Sequence, residues 1–157
     1  MAISPSDAAV ALRSLPRRFR EALEVEDEDP EDIAGRPGPQ GHSALDHLTR
    51  ANRTLALLHR ATQQAVMEDE PVLHPAVTDR SAREWGAGGS LDTELAALTD
   101  EVNGFADGVE KAPSEAWERS ASVAGGGSVT AIELLDDAVS SAVDELRAAE
   151  EVVRAVS

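Results

Sequence analysis

The sequence predicts an all-α fold, a four-helix bundle with a long connection between its second and third helices. Three observations carry this. Alanine and leucine dominate the apolar residues, aromatics make up only 3% of the chain, and tyrosine is absent. Strands draw on β-branched and aromatic side chains, whereas Ala and Leu favour helices that pack closely. Four stretches of roughly 20 residues each carry one apolar stripe at alternating spacings of three and four, the mark of a helix with one buried face. Segments rich in Pro and Gly punctuate these stretches, and four such seams specify a bundle. The 157 residues fit one domain, 1–157, with enough chain to bury a single core.

The first helix is expected to start at Ser4-Pro5-Ser6-Asp7, where capping side chains flank a proline that the first turn tolerates. Its stripe is Ala8, Leu12, Leu15, Phe19 and Leu23, and Pro16 predicts either a kink or a later start. Arg13, Arg17, Arg18 and Arg20 are expected to form a solvated face opposite the acids of Glu24 to Asp32. That acidic run, EVEDEDPED, lacks the loop glycine and distal glutamate of an EF-hand, so it is expected to be a solvated turn. Arg36-Pro37-Gly38-Pro39 then forms a loop.

The second helix, within Gly41 to Val66, has the cleanest pattern: Ala44, Leu48, Ala51, Leu55, Leu58, Thr62 and Ala65 share one stripe, with Ser43 as N-cap. His47 lies on the edge of that stripe, about 60° from its centre. His59 lies on the opposite edge, and neither it nor His42 or His74 is expected to converge with His47. Glu68 to Ser90 reads as an irregular connection long enough to cross the end of the bundle, so the helices it joins need not be antiparallel neighbours. Ser90 caps the third helix, with Leu91, Leu95, Leu98, Val102, Phe105 and Val109 as its stripe. Pro113 to Glu118 is expected to tuck Trp117 against the bundle, and Ala124 to Ser128 to form a flexible loop. Thr130-Ala131-Ile132-Glu133 is a capping box for the last helix, whose stripe is Ile132, Leu135, Val139, Ala142, Leu146, Ala149 and Val153.

Composition excludes several functions. A net charge of −16 repels phosphate backbones and anionic membranes, so neither nucleic acid nor a membrane surface is expected as a partner. No run of about 18 apolar residues and no signal-peptide pattern occurs, and a cytoplasmic protein is expected. The absence of cysteine removes disulfides, thiolate ligands and a cysteine nucleophile. The glycine loop lacks the following Gly-Lys-Ser/Thr of a phosphate cradle, and neither a Gly-x-Ser-x-Gly elbow nor a His-Glu-x-x-His pair occurs. Trp85 and Trp117 are expected to be packing residues.

Several segments, in order, resemble the DinB-like superfamily, which includes the YfiT-type proteins and the N-terminal domain of mycothiol-dependent maleylpyruvate isomerase. They are the Leu15-Pro16 helix, Arg36-Pro37-Gly38-Pro39, Ser43-Ala44-Leu45-Asp46-His47-Leu48, Glu68-Asp69-Glu70-Pro71-Val72-Leu73, and Val129 to Leu135 at the entry to the last helix. The resemblance implies a bundle of the DinB-like type and a homodimer. It also implies a divalent metal, zinc or nickel, held by three side chains, usually histidines: one from the second helix and two from the last, at i and i+4. His47 matches the first ligand. The other two positions fall at Ser141 and Glu145, or at Ser140 and Asp144 with a shift of one residue. The last helix has no histidine. His47 and Glu145 are therefore the candidate metal residues, with Ser141 at the third position. A catalytic zinc site normally has three protein ligands and an open fourth position. The expected function is accordingly a small-ligand or partner-binding bundle without an intact metal site and without a cofactor. The alternative is a metal-dependent S-transferase or isomerase acting on a small thiol.

Overall fold

The computed structural model describes residues 3–157. Helix α1 spans Pro5–Ala22, and the Ser4 hydroxyl accepts from the Asp7 N–H at 3.2 Å. Neither predicted start nor length is disturbed by Pro16, which is buried inside the helix with Leu12, Leu15 and Phe19. Proline there withholds one backbone donor, from the Leu12 carbonyl, and burial of its own ring and of its neighbours offsets that loss.

Two expectations for the next segment are corrected. The acidic run is not a solvated turn throughout, because it leads into a short helix, α2, Pro30–Gly35, with Ile33 and Ala34 buried. Pro30 stands in the first turn and Glu31 and Asp32 follow, which suits a helix N-terminus. Nor does the arginine cluster face those acids. Arg13 reaches across to Asp107 and Glu110, Arg17 pairs with Glu21 within its own helix, and Glu28 is met by Arg36 at 2.7 Å.

Helix α3 spans Ala44–Met67 and opens on a reciprocal capping box between Ser43 and Asp46. All seven stripe residues of the predicted second helix are buried. Helix α4, Leu91–Lys111, is capped by Ser90 and buries its six predicted stripe residues. Helix α5, Ala131–Val156, opens on the Thr130–Glu133 capping box, but Ile132 is only half-buried. Leu134 and Ala138 complete its buried face instead.

Helix pairing follows from which residues meet. Asn52 donates to the Glu94 carbonyl at 2.9 Å and His59 meets Glu101 at 2.7 Å, a sequence offset of 42 in both cases, so α3 and α4 run parallel. Arg13 meets Asp107 and Glu110 while Pro5 lies near Val109, so α1 is antiparallel to α4. The end of α3 lies by the start of α5, because Arg119 donates to the Val66 carbonyl and accepts from the Ala131 N–H. The far end of α5 meets the start of α3 through His47 and Glu145. The order around the bundle is thus α1–α4–α3–α5, with α3 and α4 pointing one way and α1 and α5 the other.

Parallel α3 and α4 oblige their connection to return the whole length of the bundle. It does not cross the end. Instead it runs back along α5: Arg80 reaches Asp137 and Asp144, Arg83 reaches Asp137 and Ser141, and Trp85 packs on His47. On the way it forms β1, Val72–Leu73, and two 3-10 turns, Pro75–Val77 and Arg80–Ala82.

The helices are accompanied by a small sheet that the helical pattern does not announce. After α4, a 3-10 turn at Ser114–Glu118 buries Trp117, as expected. Strands β2, Ser120–Val123, and β3, Ser128–Thr130, then form an antiparallel hairpin, and β1 joins β2 in parallel with Val72 opposite Ser122. The predicted flexible loop is the hairpin's tip, where Gly125, Gly126 and Gly127 all take positive φ that only glycine adopts readily. Ala121, Val123 and Val129 bury the inner face. No helix among the described residues is long and apolar enough to cross a membrane.

Candidate functional site

At the end of the bundle where α3 begins, His47 and Glu145 face each other. The His47 Nδ1 lies 2.7 Å from Glu145 Oε2, both side chains being largely buried. A carboxylate only accepts, so Nδ1–H donates and Nε2 is the ring's remaining polar atom. Arg50, one turn along α3, approaches the other Glu145 oxygen at 3.7 Å. Of the two registers for the last helix, Ser141 and Glu145 are on the face turned to α3. Ser140 and Asp144 are exposed, and Asp144 is engaged by Arg80 at 3.1 Å.

Ser141 is buried, but its hydroxyl has other partners. It donates to Asp137 Oδ1 at 3.0 Å and accepts from Arg83 Nη1 at 3.2 Å. Arg83 is a buried cation, its side chain only 6% exposed. Its other nitrogens donate to Asp137 Oδ2 at 2.9 Å and to the Val77 and Ala76 carbonyls. Arg80 adds two further bonds to Asp137 Oδ1. Burial on its own would raise the Asp137 carboxyl, but the hydrogen bonds and charge of Arg83, with those of Arg80 and Ser141, hold it below the ordinary carboxylate range.

Trp85 closes this end. His42 stacks on it at 3.6 Å with the rings 11° from parallel, Arg50 lies over the ring at 4.4 Å, and His47 meets it edge-on at 4.9 Å. His42 and His47 therefore do converge, with ring centroids 6.3 Å apart, contrary to expectation. A cavity of about 240 Å³ remains beside them, reaching Glu151 and Val152. His74 only caps a 3-10 turn, accepting from the Ala76 N–H, and His59 is engaged with Glu101 in the middle of the bundle.

The three positions that would hold a metal thus offer one imidazole and one carboxylate bonded to each other, plus a serine hydroxyl that receives a guanidinium. This set falls short of three basic ligands, and a divalent ion would add its charge beside that of Arg83. Among the described residues, no three His, Cys, Asp or Glu side chains gather as metal ligands do.

Arg83, Asp137 and Arg50 are not singled out by the sequence, and Trp85 stands out there only as a packing residue. Asp137 alone left a signal: Asp137, Ser141 and Glu145 are spaced i, i+4, i+8 on one face of the last helix. Arg83 and Trp85 stand in an irregular segment where no periodicity tells which side chain turns inward.

No family model matches the chain, and no curated protein matches it. Among solved structures, the fold is similar to that of YfiT from Bacillus subtilis, described as a probable metal-dependent hydrolase with an unusual four-helix bundle topology. The match has a TM-score of 0.75 at 14% sequence identity and covers 98% of this chain and 89% of that one, so the fold is a four-helix bundle like that of YfiT.

Proposed function

We propose that this protein is a DinB-like bundle that works by binding a small ligand or partner, with a fixed guanidinium standing where a catalytic relative would hold a metal ion. The observation that carries the reading is Arg83, buried and bonded to both Ser141 and Asp137. Arg83 supplies a permanent positive charge at Ser141, one helical turn from Glu145, and its partner Asp137 is also engaged by Arg80. Metal analysis of protein purified without a histidine tag tests this. Zinc and nickel should each be far below one ion per chain. Stoichiometric metal that is lost in His47→Ala would overturn the reading.

Two observations favour a second reading, a metal-dependent enzyme that activates a small thiol. His47 and Glu145 are already within 2.7 Å of each other, so both could turn towards a shared ion. The neighbour of the same fold is described as metal-dependent. Two ligands hold a catalytic ion poorly, which is why the binding role is preferred.

A further inference from the structure

Arg50, Arg53, Thr54 and Leu57 recur at i, i+3, i+4 and i+7, which gives α3 a second stripe, turned towards the connection. Between that stripe and residues 76–84 lies a cavity of about 290 Å³, near the lower bound of small-molecule sites, roughly 300 Å³. Both arginines are held by neutral groups. Arg50 lies on the Trp85 ring, and its Nε stands 3.7 Å from Glu145, too far for a hydrogen bond, while the other oxygen of that carboxylate is taken by His47. Arg53 donates from Nη2 to the Ala87 carbonyl at 2.8 Å and makes no ion pair among the described residues. A Cβ on Gly86 would stand 1.7 Å from Arg53 Nη1, so only a residue without a side chain lets the guanidinium lie against the backbone there. Elsewhere the chain neutralises its arginines closely: Arg13, Arg36 and Arg80 each meet a carboxylate at 2.6–2.7 Å. With thirty acids to fourteen bases, two fixed guanidiniums without a bonded acid do not reflect a shortage of acids.

We infer that this cavity binds a small carboxylate with a short apolar tail, its head received by Arg50 and Arg53 and its tail lying against Leu57, Ala76 and Ala82. The N–H fork of a guanidinium matches the two oxygens of a carboxylate, and holding both guanidiniums in advance lowers the entropy lost on binding. Thr54, 5% exposed, also lines the cavity, and its hydroxyl has no partner among the described residues. Arg83 stands in the wall but supplies no donor, because Asp137, Ser141 and two carbonyls already engage it. The surrounding acids select a monoanion: a second charge on the ligand would meet Glu84, which lines the cavity, and Glu145, with no further cation to answer it. The repulsion of the net −16 is screened over about 8 Å at physiological salt, so the groups in contact decide. Helix dipoles contribute little, since residues 50–57 lie inside α3 and away from its ends.

This inference rests on the reading of the protein as a ligand-binding bundle and names the ligand's chemistry. Titrate the full chain at physiological salt with butanoate, with butanamide, which has the same shape without the charge, and with sulfate, a dianion, following backbone amide shifts by NMR. Butanoate should bind with a Kd of about 1 mM, an affinity that six non-hydrogen atoms can supply, and should shift residues 50–57 and 76–84. Butanamide should bind about tenfold more weakly, the worth of one charge-assisted hydrogen bond, and sulfate should also bind more weakly than butanoate. Arg53→Gln, at an exposed position, should weaken butanoate about tenfold, and Glu84→Gln, also exposed, should tighten it about threefold. No saturable binding, shifts confined to other residues, equal affinity for butanamide, tighter binding of sulfate, or unchanged affinity in both folded variants would each overturn the proposal. Absence of metal together with no butanoate binding would sink the cavity assignment and leave the metal-free reading standing. Stoichiometric metal together with butanoate binding that still depends on Arg53 would do the reverse.

Discussion

At the scale of residues, the defining feature is a buried cation with one main carboxylate partner. Removing the charge of Asp137 leaves Arg83 poorly compensated among protein groups, which costs far more than losing an exposed ion pair. Asp137→Asn should lower stability by about 2–3 kcal/mol in urea denaturation at neutral pH, Arg80 losing its partner as well. The pH dependence follows from the lowered carboxyl. An acid held below its unfolded value stabilises the fold above that unfolded value, about pH 4, and loses the contribution as pH falls through its folded value. Denaturation curves of parent and Asp137→Asn should therefore differ at pH 7 and converge well below pH 4. A gap that persists in acid would mean that the variant acts through packing and not charge.

At the scale of elements, the helices follow from their stripes, and truncating a seam should be costly in each. Leu48→Ala in α3 and Leu98→Ala in α4, both side chains fully buried, should each lose about 2–5 kcal/mol in chemical denaturation, since each leaves a cavity. The long connection is held differently, by close approach of backbone to helix. A Cβ on Gly88 would stand 2.3 Å from the Thr49 hydroxyl oxygen, and Thr49 is buried. Gly88→Ala should cost about 1–3 kcal/mol by overpacking and should speed proteolysis within residues 68–90, measured by limited digestion. Equal digestion rates would show that the connection does not depend on that approach.

The same contrast explains how much the sequence discloses. The buried stripes of α3 and α4, and the caps at Ser4, Ser43, Ser90 and Thr130, are legible because a helix imposes a period and an orphan N–H demands a particular side chain. The hairpin is not legible, because its strands are short and rich in Ser and Ala, and its turn glycines read equally well as loose chain. The pairing of His47 with Glu145 was within reach, since both lie on predicted inward faces of helices aligned by the resemblance. Arg83 and Trp85 were not, because only the path of the connection brings them to that end.

At the scale of the whole molecule, parallel α3 and α4 make the rest necessary. A connection that must travel back the length of the bundle lies along α5, and it brings the Arg83 guanidinium onto Ser141, the third candidate ligand position. On the proposed reading, that guanidinium opposes simple restoration of a metal centre. Ser141→His with Glu145→His would place two imidazoles one turn apart opposite His47, yet Arg83 would still stand beside the new ring. Calorimetric titration with zinc of that double variant, and of the same variant with Arg83→Leu added, tests the central claim most directly. Removal of the guanidinium should tighten zinc binding by about 100-fold, the scale of an unrelieved charge near a partly buried ion. Equal zinc affinity in the two variants would contradict the account, because Arg83 would then not be what keeps the metal out.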